Sequence, residues 1–381
     1  MQRNKIRVII SGGGTGGHIF PAIAIANALK KINNENEILF VGANGRMEME
    51  KVPAAGYKIE GLDISGIQRK LTLSNLLIPF KVIKSVRRAK TIIKHFQPDV
   101  AVGVGGYASA PLLYAATKMK IPSLIQEQNS YAGITNKILS KRVQRICVAY
   151  DGMEKYFPHE KIMITGNPVR QDIQNIDGKR NEALNHFGLS ADKKIILVIG
   201  GSLGARTMNE SFAEGLQKIK ERNIQLIWQT GKLFFPKAKS LTDVMSGIAV
   251  SSETPDTTVT TGIKSYDFIQ RMDLAYAAAD VVVSRAGASS VSELALVAKP
   301  AILVPSPNVA EDHQTKNAMA LVNKDAAILV KDSEAKEKLI NAAIDLVQDT
   351  AKQEQLKKNI SSLALKNSAE KIAEEIYQLV N

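Results

Sequence analysis

The chain has 381 residues, 45% apolar and 23% charged, with a net charge of +13 at neutral pH and a single cysteine, Cys147. That length serves two domains with ordinary hydrophobic cores, and one thiol excludes an intramolecular disulfide framework. No apolar run approaches the length of a bilayer span, and the apolar strand behind the N-terminal basic residues is too short for a signal-peptide core, so a cytoplasmic protein is expected.

The first predicted element is a strand over 6–11 that runs into Gly12-Gly13-Gly14-Thr15-Gly16-Gly17-His18 and then a helix. Glycines let a ligand approach the backbone, and a helix N-terminus adds the positive end of its dipole, so the turn suits a phosphate. Gly12, Gly14 and Gly17 form a literal G-x-G-x-x-G, yet the next strand, 37–41, leads into Gly42-Ala43-Asn44, where a dinucleotide fold needs a carboxylate for its ribose. The bland alternative is a tight turn without ligand, against which stands the chain-entropy cost of so many glycines. His18 is expected at or near the first turn of the helix, where the dipole disfavours the imidazolium; it either accepts a proton or only hydrogen-bonds the loop.

Residues 1–170 carry all the excess positive charge, +14 against −1 for 171–381. Between 64 and 98 eight basic residues and no acid are interleaved with apolar ones, which suits nucleic acid or anionic lipid. The stretch is too short and too charged to span a bilayer, and Pro79 is expected to interrupt a continuous helix. Val82, Ile83, Val86, Ile93 and Phe96 keep helical spacing, so either they face a core while the cations are solvated, or the segment lies at an interface.

A strand over 99–104 ends in Gly103-Val104-Gly105-Gly106-Tyr107, and one over 122–126 in Gln126-Glu127-Gln128-Asn129. Glu127 can act as a base, orient His18 or bond its own loop, and Asn129 can hold sugar hydroxyls. A strand over 145–149 contains Cys147, read as a buried structural thiol, and the hinge is expected near Gly166-Asn167-Pro168. The second half repeats the alternation, with strands near 195–200, 225–230, 258–262, 280–284, 301–304 and 326–330. Its glycine turn is Gly200-Gly201-Ser202-Leu203-Gly204. Ser284 to Glu293 follows another strand and opens a helix whose N–H groups can meet a diphosphate; Glu293 can accept two ribose hydroxyls or close a capping box. Glu311-Asp312-His313-Gln314 adds polar groups, and Ile360, Leu363, Ile372, Ile376 and Val380 recur at helical spacing.

Strands alternating with helices imply an α/β fold of two Rossmann-like domains whose parallel sheets face a central cleft, with ligands at the strands' carboxyl ends. No Asp-x-Asp occurs and the five histidines lack paired ligand spacing, so neither a fixed metal nor a cofactor is expected. Phosphate charge then falls to N–H groups and Arg170 or Arg285. No Lys-Ser or Lys-Thr follows either glycine turn and no hydrolase pattern occurs, which removes Walker-type and serine-hydrolase chemistry.

Taken in order, Gly13 to His18, Gly105-Gly106-Tyr107, Glu127-Gln128-Asn129 with Ala132-Gly133-Ile134-Thr135-Asn136, Gly166 to Arg170, Gly200 to Arg206 and Ser284 to Glu293 resemble the MurG family over essentially the whole chain. The resemblance implies a GT-B fold, with an acceptor- and membrane-binding domain at 1–166, a UDP-GlcNAc-binding domain at 167–361 and a C-terminal helix over 362–381 that returns to the first. It also implies inverting transfer of N-acetylglucosamine from UDP-N-acetylglucosamine to the C4 hydroxyl of the lipid I acceptor, making lipid II on the cytoplasmic face of the inner membrane.

On that basis Thr15, Gly16, Gly17, Tyr107, Asn129, Arg170, Ser202, Ile269 and Gln314 bind substrate, with Ala288, Ser289, Ser290, Val291, Ser292 and Glu293 at the diphosphate and ribose. Ile269 would present its backbone to uracil. Gln314 is followed by Thr315 where the family commonly has a second glutamine. His18 is the first choice of general base and Glu127 the second. Leu73, Leu76, Leu77, Ile78 and Phe80 with Lys81, Lys84 and Arg88 would face an anionic membrane surface, and cell-wall synthesis proteins are admitted as partners. A two-domain UDP-sugar epimerase is the rival enzyme, against which the basic apolar segment speaks. A nucleic-acid binder would not require a second glycine turn in a neutral half, and 5% aromatic residues offer little for base stacking.

Overall fold

In the computed structural model, which describes residues 3–64, 78–201, 204–245 and 262–380, the chain divides into two compact units. These are Met1–Arg170 with Leu365–Asn381, and Gln171–Ala364. The division falls after Arg170, beyond the expected hinge, because Asn167 is still bonded into the first unit: its amide donates to the Gln128 carbonyl at 2.9 Å and accepts from Gln126 at 3.0 Å. Arg170 therefore belongs to the first unit and not, as the sequence suggested, to the second.

The first unit is built on strands β1 (Arg7–Gly12), β2 (Glu37–Ala43), β3 (Lys58–Leu62), β4 (Val100–Gly105), β5 (Ser123–Glu127), β6 (Arg145–Val148) and β7 (Ile162–Ile164). They lie in the order β3-β2-β1-β4-β5-β6-β7, with every pairing parallel. Side chains alternate across a strand, so Val8 and Ile10 pack on the helices Gly16–Ile32 and Ser368–Val380, while Ile9 packs among Ala89, Ile92, Leu112 and Leu113 on the other face. Covering both faces is what calls for continuous apolar strands. The returning C-terminal helix closes this core with Ile372, Ala373 and Ile376, and the Tyr377 hydroxyl is bonded to the buried Asn36.

The second unit holds β8 (Ile195–Ile199), β9 (Gln225–Gln229), β10 (Ile263–Tyr266), β11 (Val281–Ser284), β12 (Ala301–Leu303) and β13 (Ile328–Leu329), again parallel, in the order β10-β9-β8-β11-β12-β13. Its core centres on Trp228 and Phe212, and the indole N–H donates to Asn209 at 3.0 Å, which leaves no unpaired donor there. In each sheet the strand order reverses at one place, between β1 and β4 and between β8 and β11. All four of those strands run into glycine-bearing turns, and the crevice at such a reversal is where open α/β sheets take ligands.

Local reading and structure part at a few elements. β3 and β7 were not anticipated; both are edge strands, short and only partly covered, so they lack the apolar run that marks a central strand. The strand expected at 258–262 falls almost wholly outside the described residues, and the strand beside β9 is Ile263–Tyr266. Pro79 does not break its helix, because Ile78–Phe96 begins only one residue earlier and the first turn tolerates proline.

Candidate active site

The rim of the first unit is built around the turn after β1. The helix Gly16–Ile32 begins within the glycine run, and His18 sits in its first turn with Nδ1 3.0 Å from the Gly13 carbonyl and 3.4 Å from Thr15 Oγ1. A carbonyl can only accept, so Nδ1 carries the proton, and in the neutral ring Nε2 holds the lone pair. The turn after β4 locks onto this one: the Gly13 N–H donates to the Gly105 carbonyl at 3.3 Å, and a Cβ on Gly106, at φ +89°, would overlap the Gly13 backbone. Tyr107 follows and is half exposed.

Glu127 ends β5 and is buried. Its Oε1 accepts from the Asn129 backbone N–H at 3.1 Å and side chain at 3.2 Å, and its Oε2 from Gly133 N–H at 3.0 Å and Asn136 at 2.9 Å. Four donors on two oxygens bind the loop 128–136 to the strand and orient Asn129 at the rim. That geometry matches the loop-bonding alternative better than proton abstraction, since a proton taken up there would displace one of the four. Behind it the buried amides of Gln126, Gln128 and Asn167 bond one another and the Val104 carbonyl.

In the second unit Gly287 caps the helix Ala288–Leu296, and the ladder starts with the Val291 N–H on the Gly287 carbonyl at 2.9 Å. The N–H groups of Ser289 and Ser290 precede it, at the positive end of the dipole. Val291 differs from the expectation: its side chain is buried and its N–H lies inside the ladder, so it supports the turn from below. Glu293 is the sixth residue of the helix, too deep for a capping box, and its Oε2 accepts from the Tyr276 hydroxyl at 3.0 Å.

The Ile269 N–H is taken by Gln229 Oε1 at 3.0 Å, which leaves the carbonyl as the backbone group to offer a uracil; Gln229 Nε2 in turn donates to the Gly201 carbonyl at 3.2 Å. Gln314 opens the helix His313–Val322 and accepts from the Ser306 N–H at 2.9 Å, while the Thr315 hydroxyl donates to Asp312 at 2.7 Å. Ser202 lies outside the described residues.

Arg285 is a correction. Its Nη1 donates to the carbonyls of Val304 and Pro305 and to Asp332, binding the ends of β11 and β12 to the segment after β13, so that nitrogen holds structure where the sequence suggested a phosphate contact. Two supporting residues escaped sequence reading. Glu48, fully buried, accepts from Gly14 and Ala43, and Gln229 joins two loops of the second rim. Each partner lies more than twenty residues away along the chain, except the Glu48 to Ala43 bond, so no local pattern signals the contact.

The basic segment divides along its length. Ala89, Ile92 and Ile93 enter the core, but Phe80, Val82 and Ile83 are exposed, so of the two readings their spacing allowed, the core-facing one holds for Ile93 and not for Val82 and Ile83. With Val86, Tyr114 and Ile138 they line an apolar groove of about 480 Å³ whose walls also hold Arg87 and Lys90. Lys81 is exposed nearby, whereas Lys84 is paired with Asp63 at 3.2 Å and Arg88 with Glu60 at 2.8 Å. Leu73, Leu76 and Leu77 lie outside the described residues, as does the side chain of Ile78. No helix among the described residues is long and apolar enough to cross a membrane.

Residues 8–148 match the glycosyltransferase family 28 N-terminal domain and 195–376 its C-terminal domain. A Phocaeicola vulgatus protein named UDP-N-acetylglucosamine–N-acetylmuramyl-(pentapeptide) pyrophosphoryl-undecaprenol N-acetylglucosamine transferase is 55% identical over 381 residues, spanning 100% of this chain and 98% of its own. Its namesake from Parabacteroides distasonis is 54% identical over 377 residues, 99% of each chain. The chain belongs to the MurG family of glycosyltransferases. The crystal structure of Acinetobacter baumannii MurG shares its fold with a TM-score of 0.76 at 27% identity, covering 98% of this chain and 100% of that one. As a MurG-family member the protein is an N-acetylglucosaminyltransferase with the two α/β units of the GT-B fold.

Proposed function

We propose that this protein moves N-acetylglucosamine from UDP-N-acetylglucosamine to the C4 hydroxyl of undecaprenyl-diphospho-N-acetylmuramoyl-pentapeptide by direct displacement with inversion. The observation that carries the reading is identity above one half, over the full length, to transferases of that name. In the second unit the diphosphate is met by the N–H groups of Ser289 and Ser290, the ribose by Glu293, held by Tyr276, and the uracil by the Ile269 carbonyl. Gln314 contacts the sugar, and Arg170, Thr15, Gly16, Gly17, Asn129 and Ser202 complete the donor contacts.

His18 Nε2 removes the proton from the acceptor hydroxyl as that oxygen bonds the anomeric carbon. The bond from that carbon to the diphosphate oxygen breaks, and UDP leaves with the electron pair. Glu127 keeps the loop carrying Asn129 in place. The greasy acceptor is met at the exposed end of the helix Ile78–Phe96, where Phe80, Ile83 and Tyr114 enter an anionic cytoplasmic leaflet and Lys81, Arg87 and Lys90 meet its headgroups. Incubation with labelled UDP-N-acetylglucosamine and a lipid I analogue tests the reading. A labelled disaccharide-lipid is expected only when acceptor is present, and epimerised or merely hydrolysed sugar would reject it.

A further inference from the structure

We propose that Glu48 is a positioning residue for His18, acting through the single peptide unit that joins Gly13 to Gly14. Glu48 stands at the start of the helix Glu48–Ala54 with 1% of its surface exposed, and its Oε2 accepts the Gly14 N–H at 2.9 Å. The carbonyl of that same peptide unit, Gly13 O, is the one that His18 Nδ1 meets at 3.0 Å. In a trans peptide the N–H and the C=O point in opposite directions, so the carboxylate holds one end of the plane and the imidazole the other. Turning that plane would break both bonds. The second carboxylate oxygen accepts the Ala43 N–H at 3.0 Å, which anchors the clamp to the end of β2.

Electrostatics adds to geometry. A carboxylate on the N–H end polarises the amide and makes its carbonyl a stronger acceptor, so the Nδ1 proton is held and Nε2 becomes the better base. A carboxylate bonded directly to imidazole does this in serine-hydrolase triads; here one peptide group stands between the two. The surrounding glycines fit the same account. A Cβ on Gly13 would fall on the Glu48 carboxyl, one on Gly42 would lie 2.6 Å from Glu48 Cγ, and one on Gly105 2.7 Å from His18 Cδ2. Three glycines of the rim thus give room to these two side chains.

The inference rests on His18 as the base, and the experiment separates the two ideas. Glu48→Gln keeps the size of the side chain but turns an NH2 group toward one of the two N–H donors. Its kcat is expected to fall about tenfold, a fraction of what a general base supplies, with KM for UDP-N-acetylglucosamine unchanged. In histidine-labelled protein the ¹⁵N shifts of His18 should report the Nδ1–H tautomer in the wild type and a mixture in the variant. In a His18→Ala background, Glu48→Gln should cost no further kcat. A wild-type kcat in Glu48→Gln, an equal loss in both backgrounds, or a wild-type His18 protonated on Nε2 overturns the proposal. Full turnover in His18→Ala would remove the base reading alone, since the tautomer change still reads the clamp. Should Glu48→Gln fail to fold, Glu48→Asp, too short to reach both N–H groups, is expected to show the same split of kcat from KM and the same tautomer mixture.

Discussion

Single side chains in this protein are sorted by what already holds them. His18 keeps one ring nitrogen for the loop and has a second with basic character, whereas Glu127 spends both oxygens on four donors. Replacing His18 by Ala should therefore leave UDP binding by calorimetry near wild type and cut turnover by about a hundredfold or more; unchanged turnover would remove His18 from the role. Asp273 is held in another way. It is buried between Arg271 at 2.9 Å and Lys179 at 3.0 Å, and the Arg271 guanidinium, opposed by desolvation and helped by Lys179, keeps its carboxyl well below the usual range. A carboxyl lowered on folding adds stability above its unfolded value near 3.8, and the gain is lost as pH falls through the folded value. Asp273→Asn is expected to cost about 2 kcal/mol in urea unfolding at pH 7 and progressively less as the pH falls below 4. A cost that does not change with pH would contradict the ion-pair account.

At the scale of elements the helix Ile78–Phe96 carries two tasks on one amphipathic pattern. Its C-terminal half docks through Ala89, Ile92 and Ile93, and its N-terminal half projects Phe80 and Ile83 into solvent beside Lys81 and Arg87. Helical spacing alone treats both halves alike, because the period reports a face and not whether a neighbour covers it. Sedimentation with anionic vesicles checks the membrane role. Phe80→Ser with Ile83→Ser, or Lys81→Glu with Arg87→Glu, should release the protein, and the charge variant should mimic high salt. Undiminished sedimentation of both variants would reject it. Lys84 and Arg88 are poorer test sites, since each already pairs with an acid at the edge of the first sheet.

On the scale of the whole molecule, the chain closes its first unit with its last helix. Ile376 is fully buried beside Ile25 and Leu29, more than 340 residues away in sequence, and Tyr377 reaches Asn36. Ile376→Ala should lower the stability of that unit by about 2–4 kcal/mol in thermal or urea unfolding, and a change confined to the second unit would contradict the assignment. The strand-turn-helix order was legible from residues alone, because a β-branched run, its closing glycines and the next helix start are neighbours in the chain. Both glycine turns, the parallel α/β halves and the family resemblance follow from such local signals. The uses of Arg285, Glu48 and Gln229 did not, and neither did the edge strands β3 and β7. Sequence by itself determined which segments become the central strands and where glycines leave the backbone open to a phosphate. Only the tertiary structure decided which polar side chains face a substrate and which are consumed in holding the rim, because a hydrogen bond between segments distant along the chain leaves no periodicity to read.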